Sequence, residues 1–333
     1  MEKQIKEKFT DAMLQEAMSR YDIAADQIQP LGGFESFIYG FERDSKGYIL
    51  RLGHSSRRSE AMIHGEVDWI NYLAAGGTPV ARAIPSADGN LVEPIADGSG
   101  GSFLATAFEK AAGKPPRDVD WTPELFETYG RLLGKMHALT RGYKLPQAAW
   151  QRPQWDDEPM QDFHQYLPAS EVIVLEKHNA LLDYLNTLPR DSASYGLIHF
   201  DAHAGNLFID QQGQITLFDF DDCAYNWFIT DLAIVLFYIV RDKDDEVAFT
   251  QAFMPHFLRG YSRENRLDPR WLREIPHFLK QREIDLYAVI HRSFDVNNLD
   301  HPWVAGFMHN RKHRIEHDVP YLDFDFESLA VYL

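Results

Sequence analysis

The chain has 333 residues, 45% of them hydrophobic and 13% aromatic, enough for one large or two modest domains with a full core. Its net charge, 33 − 50 = −17, opposes non-specific attachment to nucleic acid or an anionic membrane, so neither is expected as a partner. The single cysteine, Cys223, excludes an internal disulfide and points to a reducing cytoplasm. No signal peptide is expected, because "MEKQIKEKFTDAM" lacks an apolar h-region, and the apolar run "LAIVLFYIV" is too short to span a bilayer. Composition leaves the oligomeric state open.

Ile5, Phe9, Ala12, Met13 and Ala17 recur at helical spacing and predict one amphipathic helix over 5–21. "LGGFESFIYGFERDSKGYILRLG" then reads as two or three strands, punctuated by Gly32-Gly33 and a turn at Asp44 to Gly47. A helix is expected from Ser59 to Ala74, stopped by Gly76-Gly77. Short strands follow near Ala81–Ser86 and Asn90–Ile95, and "SFLATAF" gives one more. This first part is a mainly antiparallel sheet with one inserted helix. Thr122 before Pro123 is a strong helix start, with Leu125, Phe126, Tyr129, Leu132, Leu133 and Met136 on one face. Further helices are expected near 170–188, 229–241, 245–260, 271–292 and 300–316, with one strand ending near Ile198, so the second part is mainly helical. The fold class is α+β in two lobes, residues 1–107 and 108–333.

The densest chemistry lies in "HFDAHAGNLFIDQQGQITLFDFDD", residues 199–222, where carboxylates crowd both ends of a short hairpin. Scattered surface acids avoid such repulsion; a bound cation or a phosphate reaction draws them together. An ordinary polar hairpin and a transition-metal triad of His199, Asp201 and His203 are the competing readings. "HFDAHAGN", with the Asp of "FDFDD" thirteen residues after its Asn, resembles the core of the aminoglycoside phosphotransferase and choline kinase family, a branch of the protein-kinase-like fold. That resemblance implies Asp201 as the catalytic carboxylate and Asn206 and Asp219 as ligands of Mg²⁺. It makes His199, His203, Asp221 and Asp231 supporting residues, with Asp231 opening a helix and tying down the catalytic loop. Phe200 stands where the family usually has glycine.

The same resemblance implies a nucleotide site in the first part, with ATP as co-substrate and GTP left open. Gly32, Gly33 and Ser36 would bring backbone N–H groups to the phosphates. Arg51 replaces the usual strand lysine, and Glu66 is its helix partner by spacing; Arg keeps the charge with a longer, planar head. Ala107 and Phe108, in "ATAFEK", fall where an inter-lobe hinge would offer backbone groups to adenine. Cys223 reads as a packed small residue, and the basic, histidine-rich "MHNRKHRIEHD" as a solvated helix face. The implied activity is transfer of the γ-phosphate of a Mg-nucleotide to a hydroxyl of a small molecule resembling an aminoglycoside, choline or homoserine, and the acidic balance of the chain would suit a cationic acceptor. Residues 115–190 and those beyond 240 would select it. A protein Ser/Thr kinase and a nucleotide-binding pseudoenzyme are the alternatives.

Overall fold

The computed structural model describes residues 3–118, 121–157, 166–241 and 243–333; parts of the stretches expected to select the acceptor, 119–120, 158–165 and 242, lie outside them. Contacts divide the chain into two units. Met1–Val119, Gly142–Arg152 and Asn206–Asp221 form one; Asp120–Arg141, Pro153–Gly205 and Asp222–Leu333 form the other.

The first unit begins with two helices, α1 (Lys3–Lys8) and α2 (Asp11–Arg20), where the apolar spacing predicts one. The break is local chemistry: Thr10 takes an extended conformation and its hydroxyl accepts from Met13 N–H, capping a new helix. Strands β1 (Ile28–Gly32), β2 (Phe37–Arg43) and β3 (Lys46–His54) form an antiparallel meander. Asp44 and Ser45, both at positive φ, make its second turn. Helix α3 (Glu60–Ala75) follows, with the Ser59 hydroxyl accepting from Met62 N–H at 3.2 Å. Strands β4 (Ala83–Ile84) and β5 (Glu93–Ala96) are shorter than their apolar runs, and both pair with β6 (Ser102–Glu109). The described strands run β1-β2-β3-β6-β4. One sheet face packs Leu50, Leu52, Phe103 and Ala105 against Met18 and Tyr21, and a second cluster joins Leu104 to Ile63 and Val67 of α3. The later hairpin, β8 (Leu207–Ile209) with β9 (Ile215–Leu217), belongs to this unit: Ala81 N–H donates to Leu217 O at 2.9 Å, and Lys114 N–H to Ile209 O at 3.0 Å.

The second unit is mainly helical. Helix α4 (Pro123–Thr140), capped by Thr122, packs against α7 (Glu246–Ser262). A methyl at Gly130 would stand 1.9 Å from Phe257 O, so the two backbones meet only because that position has no Cβ. Helix α5 (Val172–Leu185) and the almost wholly buried α6 (Phe228–Ile239) both lie on α8 (Ile275–Ser293). A 3-10 turn, Pro269–Glu274, leads into α8. The helix expected over 300–316 is two, α9 (Pro302–Met308) and α10 (Arg311–Glu316), parted where Asn310 adopts a left-handed conformation. The basic tail is a solvated face only in part: His309, His313 and His317 are exposed, but Arg311 and Lys312 pair with Glu283 and Glu171, both buried. The strand expected to end near Ile198 is β7 (Tyr195–Ile198); it pairs with an unexpected one, β10 (Ala224–Trp227), and leads into the loop carrying Asp201. Among the described residues no helix is long and apolar enough to cross a membrane.

Candidate active site

In the first unit, β3 places Arg51 and α3 places Glu66 so that they meet side by side. Arg51 Nη1 and Nη2 donate to the two carboxylate oxygens of Glu66 at 2.7 and 2.9 Å, and Nε donates to Thr106 Oγ1 at 3.3 Å. The guanidinium lies 5.0 Å from the Phe108 ring centre, and both charged side chains are buried. Two parallel hydrogen bonds with aromatic cover are the geometry in which a buried ion pair survives desolvation. A small cavity opens here, lined by Ser36, Arg51, Gly53, Arg57 and Asp221 among others. Gly33, at φ +143°, passes so close to Ser36 O that a Cβ would stand 2.0 Å away; the loop after β1 folds tightly back on itself.

Asp221 is fixed from several directions. Its side chain pairs with Arg57 and lies 3.9 Å from Arg51 Nη1; its backbone oxygen accepts from Arg152 at 2.5 Å and Arg58 at 3.2 Å. Sequence reading missed Arg57, Arg58 and Arg152. Arg57 and Arg58 sit in a "SSRRSE" turn with no periodicity, and buried Arg152 acts on Asp221 across 69 positions. Asn206 and Asp219 end up side by side at one end of the β8–β9 hairpin, because Phe218 N–H donates to Asn206 O at 2.9 Å. One amide oxygen and one carboxylate make a hard donor set that suits Mg²⁺, which keeps waters and nucleotide phosphates in its remaining positions. Asp219 is exposed and held at φ +64°.

Ala107 and Phe108 are a correction. Both lie inside β6 with register partners on β3 and on β4, so neighbouring strands flank the backbone edges an adenine would need. The strand runs through all of "ATAFEK" but its last residue, so the first residue beyond it is Lys110.

In the second unit, Asp231, in the first turn of α6, accepts from Phe200 N–H at 2.8 Å and His199 N–H at 3.1 Å. It also meets His137 Nε2 at 3.1 Å, while His137 Nδ1 meets the Tyr261 hydroxyl at 2.9 Å. Burial lowers the pKa of His137 despite its contact with Asp231, favouring the neutral imidazole. His199 is fully buried, and its Nδ1 accepts from Asp201 N–H at 3.2 Å. Phe200 sits at φ +65°, a left-handed conformation natural to glycine and strained for a bulky side chain.

This scaffold presents the Asp201 carboxylate. Arg282 of α8 donates to its Oδ1 and, at 2.8 Å, to the Tyr238 hydroxyl; His203 Nε2 lies 3.3 Å from Oδ2. Burial pushes the Asp201 carboxyl up, but the Arg282 guanidinium and then His203 outweigh it, and the group is held below the usual carboxylate range. His199, Asp201 and His203 do not form the transition-metal triad. His203 Nδ1 accepts from Gly205 N–H at 2.8 Å, and no group of three or more His, Cys, Asp or Glu among the described residues is disposed to hold a metal.

A small antiparallel sheet with a buried strand-to-helix ion pair, joined in sequence to a helical unit with a helix-pinned carboxylate loop, is the architecture of the protein-kinase-like phosphotransferases, with Arg51 here in place of their usual lysine. Residues 27–275 match the model of the phosphotransferase enzyme family, and the chain belongs to that family. It is 41% identical to the amicoumacin kinase of Bacillus subtilis (strain 168), over 98% of each chain. A solved structure of the amicoumacin kinase hAmiN in complex with AMP-PNP, Ca²⁺ and Ami is similar at a TM-score of 0.93 and 36% identity, covering 99% of this chain and 100% of that one. The microcompartment-associated aminopropanol kinase shares the fold at a TM-score of 0.74 and 22% identity, over 92% and 97% of the respective chains.

Proposed function

We propose that this phosphotransferase moves the γ-phosphate of ATP to a hydroxyl of a small molecule, and that amicoumacin or a close chemical relative is the acceptor. The observation that carries the reading is Asp201: a carboxylate kept ionised by Arg282, on a loop whose backbone is bound to Asp231. The two amicoumacin kinases support the choice of acceptor, the nucleotide and the use of a divalent ion.

In this reading Gly32, Gly33 and Ser36 receive the phosphates, and Arg51, aligned by Glu66, neutralises them. Asn206 and Asp219 hold Mg²⁺, which when bound offsets charge on the phosphate oxygens. Asp201 Oδ2 accepts a hydrogen bond from the acceptor hydroxyl and orients its oxygen in line with the γ-phosphorus. The new O–P bond forms as the bond to the β–γ bridging oxygen breaks, ADP leaves, and the hydroxyl proton passes to Asp201. A carboxylate of low pKa suits this late proton transfer, because a loose transition state needs alignment more than a strong base. His199, His203 and Asp231 hold the loop, and Asp221 holds the arginines near the nucleotide. The setting is cytoplasmic, where ATP and a reduced Cys223 are both found.

The test is transfer of labelled γ-phosphate from ATP to amicoumacin, amino alcohols, aminoglycosides and a generic protein substrate. Labelled small-molecule product supports the reading. Labelled protein alone would shift the assignment to a protein kinase, and tight ATP binding without any transfer would shift it to a pseudoenzyme.

A further inference from the structure

Arg282 shares one face of α8 with Gln281 and Asp285, because at 3.6 residues per turn the three fall within about 100° of the helix circumference. Gln281 is 2% exposed, yet neither its amide oxygen nor its amide nitrogen has a hydrogen-bond partner among the described residues. The same holds for buried Oδ1 of Asp285 and for Nε of Arg282. Glu283 on the same helix shows the ordinary solution: it is fully buried, and Lys280 at 2.5 Å and Arg311 at 2.6 Å both pair with it. Burial pushes the Asp285 carboxyl up to about 7, with Arg282 only partly opposing it. Buried polar atoms are nearly always paired. Several left open on one face, beside the arginine that holds Asp201, call for a partner from outside the chain.

We infer that Gln281 and Asp285 form the acceptor-recognition face of the phosphotransfer site, and that it takes an alcohol that also carries an amine. Asp285 receives the ammonium; Gln281, donor and acceptor at once, takes a neighbouring hydroxyl or amide. Asp285 lies one helical turn, about 5 Å along the axis, from Arg282. The favoured acceptor therefore has its amine only a few bonds from the hydroxyl that reaches Asp201. This inference rests on the phosphotransferase reading, with Asp201 at the hydroxyl.

The test uses the full chain with ATP and amicoumacin, aminopropanol, hydroxylysine and an aminoglycoside, the last three each beside an N-acetylated counterpart. Wild type should favour the free amine at least tenfold in kcat/KM. On the acceptor that wild type uses best, Asp285→Asn should raise KM tenfold or more, hold kcat within threefold and abolish the preference for the amine. Gln281→Leu should also raise acceptor KM. Gln281→Leu should melt no lower than wild type, since it removes an unpaired buried amide, and Asp285→Asn, which keeps the size and a polar head, should melt within a few degrees of it; a merely structural residue would melt lower on replacement. Equal use of amine and acetamide by wild type, or an unchanged acceptor KM in Asp285→Asn, overturns the inference while leaving the phosphotransferase reading intact. Failure of wild type to bind ATP or phosphorylate anything removes that reading first, and this inference with it.

Discussion

Glu66 carries its carboxylate with no exposure to solvent, and Arg51 is its partner through two parallel hydrogen bonds. Removing one charge from such a pair strands the other. Glu66→Gln should therefore cost about 3–5 kcal/mol, read by denaturant unfolding. Arg51→Lys keeps a cation but loses the fork and the bond to Thr106, so it should lower stability while weakening ATP binding less than Arg51→Ala does. Equal ATP affinity for the wild type and Arg51→Ala would detach Arg51 from the nucleotide. The two second-unit aspartates respond to pH with opposite signs. Asp285 titrates near 7 in the folded chain against an ordinary 3.8, so its protonated form is favoured by folding. Its contribution is fully present below pH 3.8 and is lost as pH rises through about 7. Asp201 is held below 3.8, and its contribution is present above that value and lost as pH falls through its folded pKa. Melting temperatures between pH 5 and 8 should fall less steeply in Asp285→Asn than in wild type; parallel curves would contradict the burial argument.

At the scale of elements, α6 does more than fill the core. Its first turn supplies Asp231, whose carboxylate takes two backbone N–H groups of the loop before Asp201. Asp231→Ala leaves both donors unpaired, each at a cost of about 1–3 kcal/mol. The variant should lose about 3 kcal/mol or more and most of its activity, whereas Asp231→Asn keeps one acceptor oxygen and should lose less. Chemical denaturation of the pair would refute this if alanine proved no worse than asparagine. Elements with local signals were legible in the sequence. Ser59 and Thr122 cap their helices through bonds to residues three positions on, and Gly76-Gly77 ends α3. The leading helix was not, because the Thr10 cap interrupts a continuous apolar stripe. The strand ending at Ile198 was legible, but its partner β10 escaped because it is four residues long and lies far along the chain. Likewise the motif marks Asp201 and Asn206, but Arg282 contacts Asp201 from 81 positions away, and nothing in its own neighbourhood announces it.

For the whole molecule, the division into units follows contacts rather than chain order. Residues 206–221 leave the loop carrying Asp201 and pack with the sheet, so Asn206 and Asp219 share a unit with Arg51. Against a net charge of −17, Arg51, Arg57 and Arg58 line one small cavity of that unit beside Glu35 and Asp221, so the acids are locally offset there. Nucleotide binding and proton acceptance are thus assigned to different units and should separate on mutation. The most direct measurement is the single-turnover rate of phosphate transfer from ATP by Asp201→Asn, on a preparation whose nucleotide affinity has been determined. Asparagine keeps the size and accepts a hydrogen bond, but it takes no proton. The rate should fall by about 10²–10⁴ with ATP affinity within a few-fold of wild type. An undiminished rate, or a loss matched by an equal loss of ATP affinity, would contradict the assignment of Asp201 to the acceptor hydroxyl.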